Sequence, residues 1–581
     1  MSHGDYLRRD ASCPVSCSFS LDVKMALKVP RAGGPSLFKD GYKQFQGIEE
    51  AVLRNIQAVN ELSDIVRTSY GPNGRNKMIV NHLGRIFVTS DAATIIREME
   101  VVHPAAKLLV YASQQQEAEM GDGTNFVMIL AGELLRQAEV LISLGLHPTE
   151  IVQGYELARD RALEILDDLS IATLSSPPTQ ESLALALRPT LASKQYGHED
   201  ILAPLVAQAV SMVIPSSAAT SSTLRDFSVD NVRVVKIMGS SLSQSRVVRG
   251  MVFGREPEGS VKSASDAKVA VFSCGLDISQ TETKGTVLLH NAEELKNFSR
   301  GEEIQLEQML KEIADSGVKI VVTQSSVGEL ALHYLNRLGI MVCRVPSKFD
   351  LQRLCRLLGA TPLARIGAPM PEEAGFVDSA VTTEIGGDRV TVFRQEEQGK
   401  GGKSHPRLAT IVLRGATTSM LDDAERTIED GVNAVKSLTR DPRLVPGAGA
   451  TEIELARQIV AYGERTPGLN QHAIKKYGEA LQVIPRTLAE TCGLDATDVV
   501  SKLHAQHAAK EKADTGVDVE NATDGTMSTI DAQVFDVLVA KHWALRYATN
   551  AAIDVLRVDS IIMSKPAGIK APGRNPHWDE D

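Results

Sequence analysis

The sequence predicts a multi-domain α and α/β protein in which a mixed domain interrupts a helical one. Residues from about 45 to 230 are mainly helical in pattern. Val232 to Ile237, Val247 to Phe253, Val269 to Phe272, Ile320 to Thr323 and Met341 to Val345 are then short apolar runs that alternate with helical stretches. After Arg407 one strand, Leu408 to Leu413, leads back into helices. A length of 581 residues allows three or four domains, and 43% hydrophobic content gives each a core.

The first helix carries Ile48, Val52, Ile56, Val59, Leu62 and Ile65 at spacings of three and four. Tyr70-Gly71-Pro72-Asn73-Gly74 closes it, and the β-like runs Lys77 to Val80 and Ile86 to Thr89 follow. Thr89-Ser90-Asp91-Ala92-Ala93-Thr94 then sets an aspartate at the start of the next helix. Asp91 reads either as a residue that compensates the helix dipole or as a carboxylate near a phosphate site. The second reading gains weight from Gly121-Asp122-Gly123-Thr124-Asn125, which precedes the apolar run Phe126 to Leu130. Its glycines allow close approach to an anion, the following helix offers free N–H groups, and an aspartate beside phosphate can hold a metal. The same pentapeptide also fits a plain helix–helix turn.

Composition narrows the function. A net charge of -11, from 62 basic and 73 acidic side chains, argues against non-specific nucleic-acid binding. With 4% aromatic residues, base-stacking platforms are not expected. Cysteines at 13, 17, 274, 343, 355 and 492 form no paired framework, and no apolar stretch is long enough to cross a membrane, so a reduced cytoplasmic setting is expected. No second Cys or His pair follows Cys13 and Cys17 at zinc-finger spacing. His504 and His507 read as part of a solvated helix face. Gly399 to Ser404 ends like a P-loop, but Glu397 stands where that pattern needs glycine, so a solvated loop is expected.

His103-Pro104-Ala105-Ala106-Lys107, the turn from Gly121 to Asn125, and Gly145-Leu146-His147-Pro148 followed by Gly154-Tyr155-Glu156 resemble the group II chaperonins of the eukaryotic cytosolic type. The likeness covers almost the whole chain. It continues through Ser193-Lys194-Gln195-Tyr196-Gly197, Gly367-Ala368-Pro369, Glu384-Ile385-Gly386-Gly387, Leu413-Arg414-Gly415, Val445-Pro446-Gly447 and Arg557-Val558-Asp559. Asn125, Ala92, Gly447-Ala448-Gly449, Thr281 to Val287 and Asn297 to Ser299 lean toward one subunit branch of that family.

The resemblance implies a chaperonin fold with a helical equatorial domain, a small intermediate domain and an inserted α/β apical domain carrying a helical protrusion. The expected division is 25–168 and 442–564 equatorial, 169–230 and 406–441 intermediate, and 231–405 apical. Residues 1–24 are expected to be a disordered extension, or a start-site artefact ahead of Met25, and 565–581 a mobile tail. The protrusion is placed around Thr283 to Gly301. Beneath it Ile304, Leu306, Met309, Leu310 and Ile313 share a helix face whose polar edge is the expected client-contact region.

The resemblance also assigns roles. ATP or ADP would be held by Tyr70, Gly71 and Pro72, by N–H and side-chain donors of Gly123, Thr124 and Asn125 with the adjoining Phe126, and by Ser193 and Lys194. Gly447-Ala448-Gly449 and Asp536 would meet the ribose and base. Asp122 would bind Mg2+, and Asp430 with Asp91 would orient the attacking water. Asp430, beside Glu429, otherwise reads as a solvated helix charge. The implied activity is ATP hydrolysis coupled to protein folding. The partners would be seven paralogous subunits in a double ring and unfolded clients of the actin and tubulin class, with no nucleic acid and no membrane. A nucleotide-binding scaffold subunit with little turnover is the alternative, and an independent metabolic phosphotransferase a third, disfavoured by the lack of an acceptor site.

Overall fold

The computed structural model describes residues 48–174, 178–214, 227–277, 291–395, 407–509, 514–521 and 524–562. They fall in a compact unit spanning 45–561; the other unit, 1–44 with 562–581, contributes only Ile562. The two terminal extensions, Cys13 and Cys17, residues 283–290 of the expected protrusion and the Gly399–Ser404 loop lie outside the described residues.

Both ends of that unit build one helical core. Helices Ile48–Arg67, Pro104–Met120, Thr124–Ser143 and Pro148–Asp168 pack with Ala450–Arg465, Asn470–Leu481 and Leu538–Leu556 around Val59, Leu109, Leu134, Tyr155, Tyr477 and Ala548. The first helix buries Val52, Ile56, Val59, Leu62 and Val66. Ile65, expected on that face, is 44% exposed because the 3.6-residue period places Val66 inward instead. The hairpin Lys77–Val80 with Ile86–Thr89 is present as expected.

A second core joins helices Gln180–Ala192, Glu199–Val213 and Thr418–Arg440 to the strand Ala409–Gly415 through Leu187, Val206, Ile411, Leu413, Ile428 and Val432. Beyond it runs an eight-stranded mixed sheet in the order Val232–Met238, Ala409–Gly415, Arg246–Phe253, Asp388–Arg394, Gly375–Ile385, Ser263–Phe272, Val318–Thr323 and Met341–Arg344. Strands Ser263–Phe272, Val318–Thr323 and Met341–Arg344 pair in parallel. They are covered on both faces, which is why they read as continuous apolar runs. Val269, Val271, Ile320 and Val322 face one core, while Ala270, Phe272, Val321 and Val342 face the other.

The fold class stands, a mixed domain nested within a helical one. Two strands of the large sheet escaped the sequence reading, Gly375–Ile385 and Asp388–Arg394, joined at Gly386-Gly387 with both glycines at positive φ. In the helix Ala292–Asp315, Leu306, Leu310 and Ile313 are buried against the sheet, but Ile304 is 62% exposed and off the packed face. His507 is not on a solvated face either. It follows Leu503 by one turn on the inward side of helix Ala496–Ala508 and is buried against Glu454 and the Thr515 carbonyl.

Candidate nucleotide site

The site lies where the helical core meets the second core. Helix Pro104–Met120 stops at Gly121, whose φ of 75° is a left-handed cap, and Gly123 at φ 82° opens helix Thr124–Ser143. No side chain caps that opening, so its first N–H groups remain free to meet an anion. Gly121 has a packing reason as well. A Cβ there would lie 2.3 Å from Asn433, so the glycine lets helix Thr418–Arg440, which carries Asp430, dock against the turn.

Asp91 caps helix Ala92–Glu98. Its Oδ2 accepts from the Thr94 N–H and Thr94 hydroxyl, each at 3.0 Å. Its Oδ1 accepts from Thr124 Oγ1 at 3.2 Å and from Lys194 Nζ at 2.7 Å. Lys194 follows helix Gln180–Ala192 and also lies 3.6 Å from Asp430 Oδ2. Three segments remote in sequence thus place two carboxylates on one ammonium.

Electrostatics separates the three aspartates. Burial would raise the Asp91 carboxyl, but Lys194 and the Thr94 hydrogen bonds override it and hold Asp91 well below the usual carboxylate range. Burial raises Asp430 well above that range against the pull of Lys194, with Asp91 and Asp122 adding to the rise. Burial raises Asp122 too, opposed by Lys194 and by a hydrogen bond from the Gly123 N–H. Burial would lower Lys194, yet Asp91, Asp430 and Asp122 together keep it firmly protonated. One ammonium stands among three largely buried carboxyls, and a divalent cation bound beside them would stabilise the ionised forms that burial disfavours at Asp122 and Asp430. Among the described residues no three His, Cys, Asp or Glu side chains form a metal-binding group.

A cavity opens beside this cluster. Ser69, Tyr70 and Gly71 line one side, Asp122, Gly123, Asn125 and Phe126 the floor, Pro189, Thr190, Ser193 and Lys194 another wall, and Asp536, Lys541 and Ala544 the far end. Asp536 reaches it through the small sheet Ala172–Thr173, Arg443–Pro446 and Phe535–Val537, where it pairs with Val445. Burial and the nearby Glu452 and Asp536 keep the Tyr70 phenol neutral, its pKa raised well above the ordinary value.

Other residues singled out from the sequence stand back from the cavity wall. Thr124 and Asp91 lie behind it, linked to Lys194, and Asp430 meets it through the same lysine. Pro72 is part of the loop but not of the lining. Gly447, Ala448 and Gly449 form the turn behind Asp536; the Gly447 N–H donates to Val534 O, Ala448 has φ 51°, and a Cβ on Gly449 would lie 2.9 Å from Pro485.

Sequence reasoning missed Lys541, Glu452 and Gln116. Lys541 Nζ lies 2.7 Å from Glu452 Oε1 and 2.8 Å from Asp536 Oδ2, balancing the acids at the far end. A lysine in the first turn of helix Leu538–Leu556 opposes the dipole, and that was a readable sign of a dedicated partner. Gln116 is fully buried and donates to Asp122 O at 2.8 Å and Ala540 O at 3.3 Å, stitching the aspartate turn to that helix.

A family model for the TCP-1/cpn60 chaperonin family matches residues 62–566. The chain is 57% identical over 558 residues to the probable T-complex protein 1 subunit theta of Schizosaccharomyces pombe, 53% over 573 residues to the theta subunit of Saccharomyces cerevisiae, and 51% over 559 residues to that of Homo sapiens. Each alignment covers 96% of this chain and the whole of the relative. The subunit branch toward which Asn125, Ala92 and Ala448 lean is the theta branch. Lying with those theta subunits, the chain belongs to the TCP-1/cpn60 chaperonin family.

Proposed function

We propose that the chain is an ATP-hydrolysing subunit of a cytoplasmic hetero-oligomeric double ring, in which seven paralogous partners complete a chamber that encloses unfolded proteins of the actin and tubulin class. The observation that carries the reading is Lys194 bridging Asp91 and Asp430 beside the Asp122 turn. Asp91 belongs to the glycine-loop side, Lys194 and Asp430 to the second core, so one set of contacts joins the nucleotide floor to the element that would transmit its state. The proposed divisions are 25–168 with 442–564 equatorial, 169–230 with 406–441 intermediate, and 231–405 apical.

The free N–H groups at Thr124 and Asn125 would bind phosphate oxygens, and Asp122 would hold Mg2+. Bound Mg2+ would neutralise phosphate charge. Asp430, buried and raised in pKa, would accept a hydrogen bond from the attacking water, with Asp91 orienting it from the opposite side. Lys194 would hold both carboxylates in place. Asp536 and the turn behind it would seat the ribose and base.

The test uses assembled rings in which the partner subunits' sites are silenced. Asp430→Asn should leave Mg-ATP affinity nearly intact and lower single-turnover hydrolysis on the order of a hundredfold. An unchanged rate would assign the chain the scaffold role, and a large affinity loss would make Asp430 a ground-state ligand.

A further inference from the structure

We propose that Asn125 is a positioning residue for hydrolysis, its one side-chain amide clamping the backbone on both sides of Asp91. The amide oxygen accepts from the Ala92 N–H at 2.8 Å, and the amide nitrogen donates to Ser90 O at 3.0 Å. Those residues immediately follow and precede Asp91, so the backbone that carries its carboxylate cannot turn without breaking one of the bonds. The remaining amide hydrogen faces Ser69 O and Ser69 Oγ, both at 3.5 Å, which ties the clamp to the glycine loop.

The expectation that the Asn125 side chain donates to phosphate is therefore replaced. The residue borders the cavity but is 8% exposed, and its side-chain amide is engaged within the protein, leaving only its backbone N–H toward the cavity side. Its neighbour completes the device. Thr124 Oγ1 holds the Asp91 carboxylate itself, at 3.2 Å, so consecutive residues at one helix start fix both the backbone and the head group of the same aspartate. A threonine hydroxyl at position 125 can also donate once and accept, but it is a single atom on a shorter side chain, so it reaches Ser90 O and the Ala92 N–H less well than the two separate atoms of the amide. The result is a carboxylate held toward Lys194, at 2.7 Å, by contacts within the protein.

This inference rests on the proposed role of Asp91 in hydrolysis, and its test separates the two. In rings with the partner subunits' sites silenced, Asn125→Leu and the milder Asn125→Thr are compared with Asp91→Asn and with Asp91→Asn combined with each. Both Asn125 variants should lower single-turnover hydrolysis by roughly tenfold or more, since small misplacements of reacting groups are costly, while Mg-ADP affinity shifts less than about twofold. Adding either to Asp91→Asn should cause no further loss, because a residue that acts through Asp91 has nothing left to position. Affinity that falls in step with rate, or losses that multiply in the combined variants, would overturn the clamp. If Asp91→Asn alone leaves hydrolysis unchanged, the role of Asp91 fails, and the structure of the Asn125→Thr ring decides the clamp: an Asp91 carboxylate displaced from Lys194 supports it, and one unmoved overturns it.

Discussion

One carboxylate oxygen of Asp91 meets the Lys194 ammonium at 2.7 Å while the other caps the helix Ala92–Glu98. A helix cap and a member of the buried charge cluster are thus the same side chain. Lys194 is 10% exposed at its side chain and Asp91 13%, so the pair is shielded from water and the loss of Lys194 strands the Asp91 carboxylate. Lys194→Met should destabilise the assembled protein by about 3 kcal/mol, and adding Asp91→Asn should recover part of that loss. Denaturant titration of all four proteins in the cycle measures the coupling. Additive losses would show that the two groups do not stabilise one another.

Asp122 differs in that burial raises the cost of its charge, with Lys194 as the main counterweight. Asp122→Ala should leave the empty protein at least as stable and reduce Mg-nucleotide occupancy. Titrating Mg2+ at fixed ADP checks this, since a metal ligand shifts the Mg2+ midpoint. A midpoint equal to that of the parent protein would remove Asp122 from the metal site.

A second buried acid gives the pH dependence. Burial would raise Glu454, but hydrogen bonds from His507, Arg457 and Gln458 bring it down to about 2. A depressed carboxyl contributes stability that is present above its ordinary pKa, about 4.3, and is lost as pH falls toward 2. Glu454→Gln should therefore be less stable than the parent at pH 7, with the difference shrinking between about pH 4.5 and 2. Urea midpoints measured at pH 7 and pH 3 would show it. A gap of constant size would mean that packing, not charge, accounts for the loss.

The parts of this architecture legible in sequence are those that local chemistry dictates. The turn Gly121–Asn125, the Asp91 cap and the hairpin Lys77–Val80 with Ile86–Thr89 each announce themselves within a few residues. Gly386-Gly387 carried an equally local hairpin signal, but Thr382, Thr383 and Asp388 broke the apolar alternation of the flanking strands. Lys541 and Glu452 become partners only when two helices 89 residues apart in sequence, Ala450–Arg465 and Leu538–Leu556, come together. His507 looked solvated beside Lys502 and Gln506 because nothing local reveals that Glu454 and Thr515 enclose it. Asn125 was read as a phosphate donor on its place in a motif, whereas its orientation is set by Ser90 and Ala92 across a tertiary contact.

The turn behind Asp536 yields the last prediction. Ala448 holds φ 51°, a left-handed conformation that costs an L-residue about 1–2 kcal/mol. Its carbonyl accepts from the Val517 N–H at 2.9 Å, and its methyl fills the space over Gly516, where an added Cβ would sit 2.9 Å from it. Ala448→Gly should relieve the strain but lose some of that relief to the more flexible unfolded chain, for a net stabilisation of about 0.5 kcal/mol. The same change frees the turn that steadies Asp536, so nucleotide release should quicken although the protein is no less stable. Gly516→Ala attacks the contact from the other side and should cost about 2 kcal/mol by overpacking. Combining it with Ala448→Gly should recover only part, because the Ala448 carbonyl is also 2.9 Å from the new methyl. Stopped-flow release of a fluorescent ADP analogue, with melting temperatures of the three variants, tests the link. A release rate unchanged in Ala448→Gly would show that the methyl has no part in holding nucleotide.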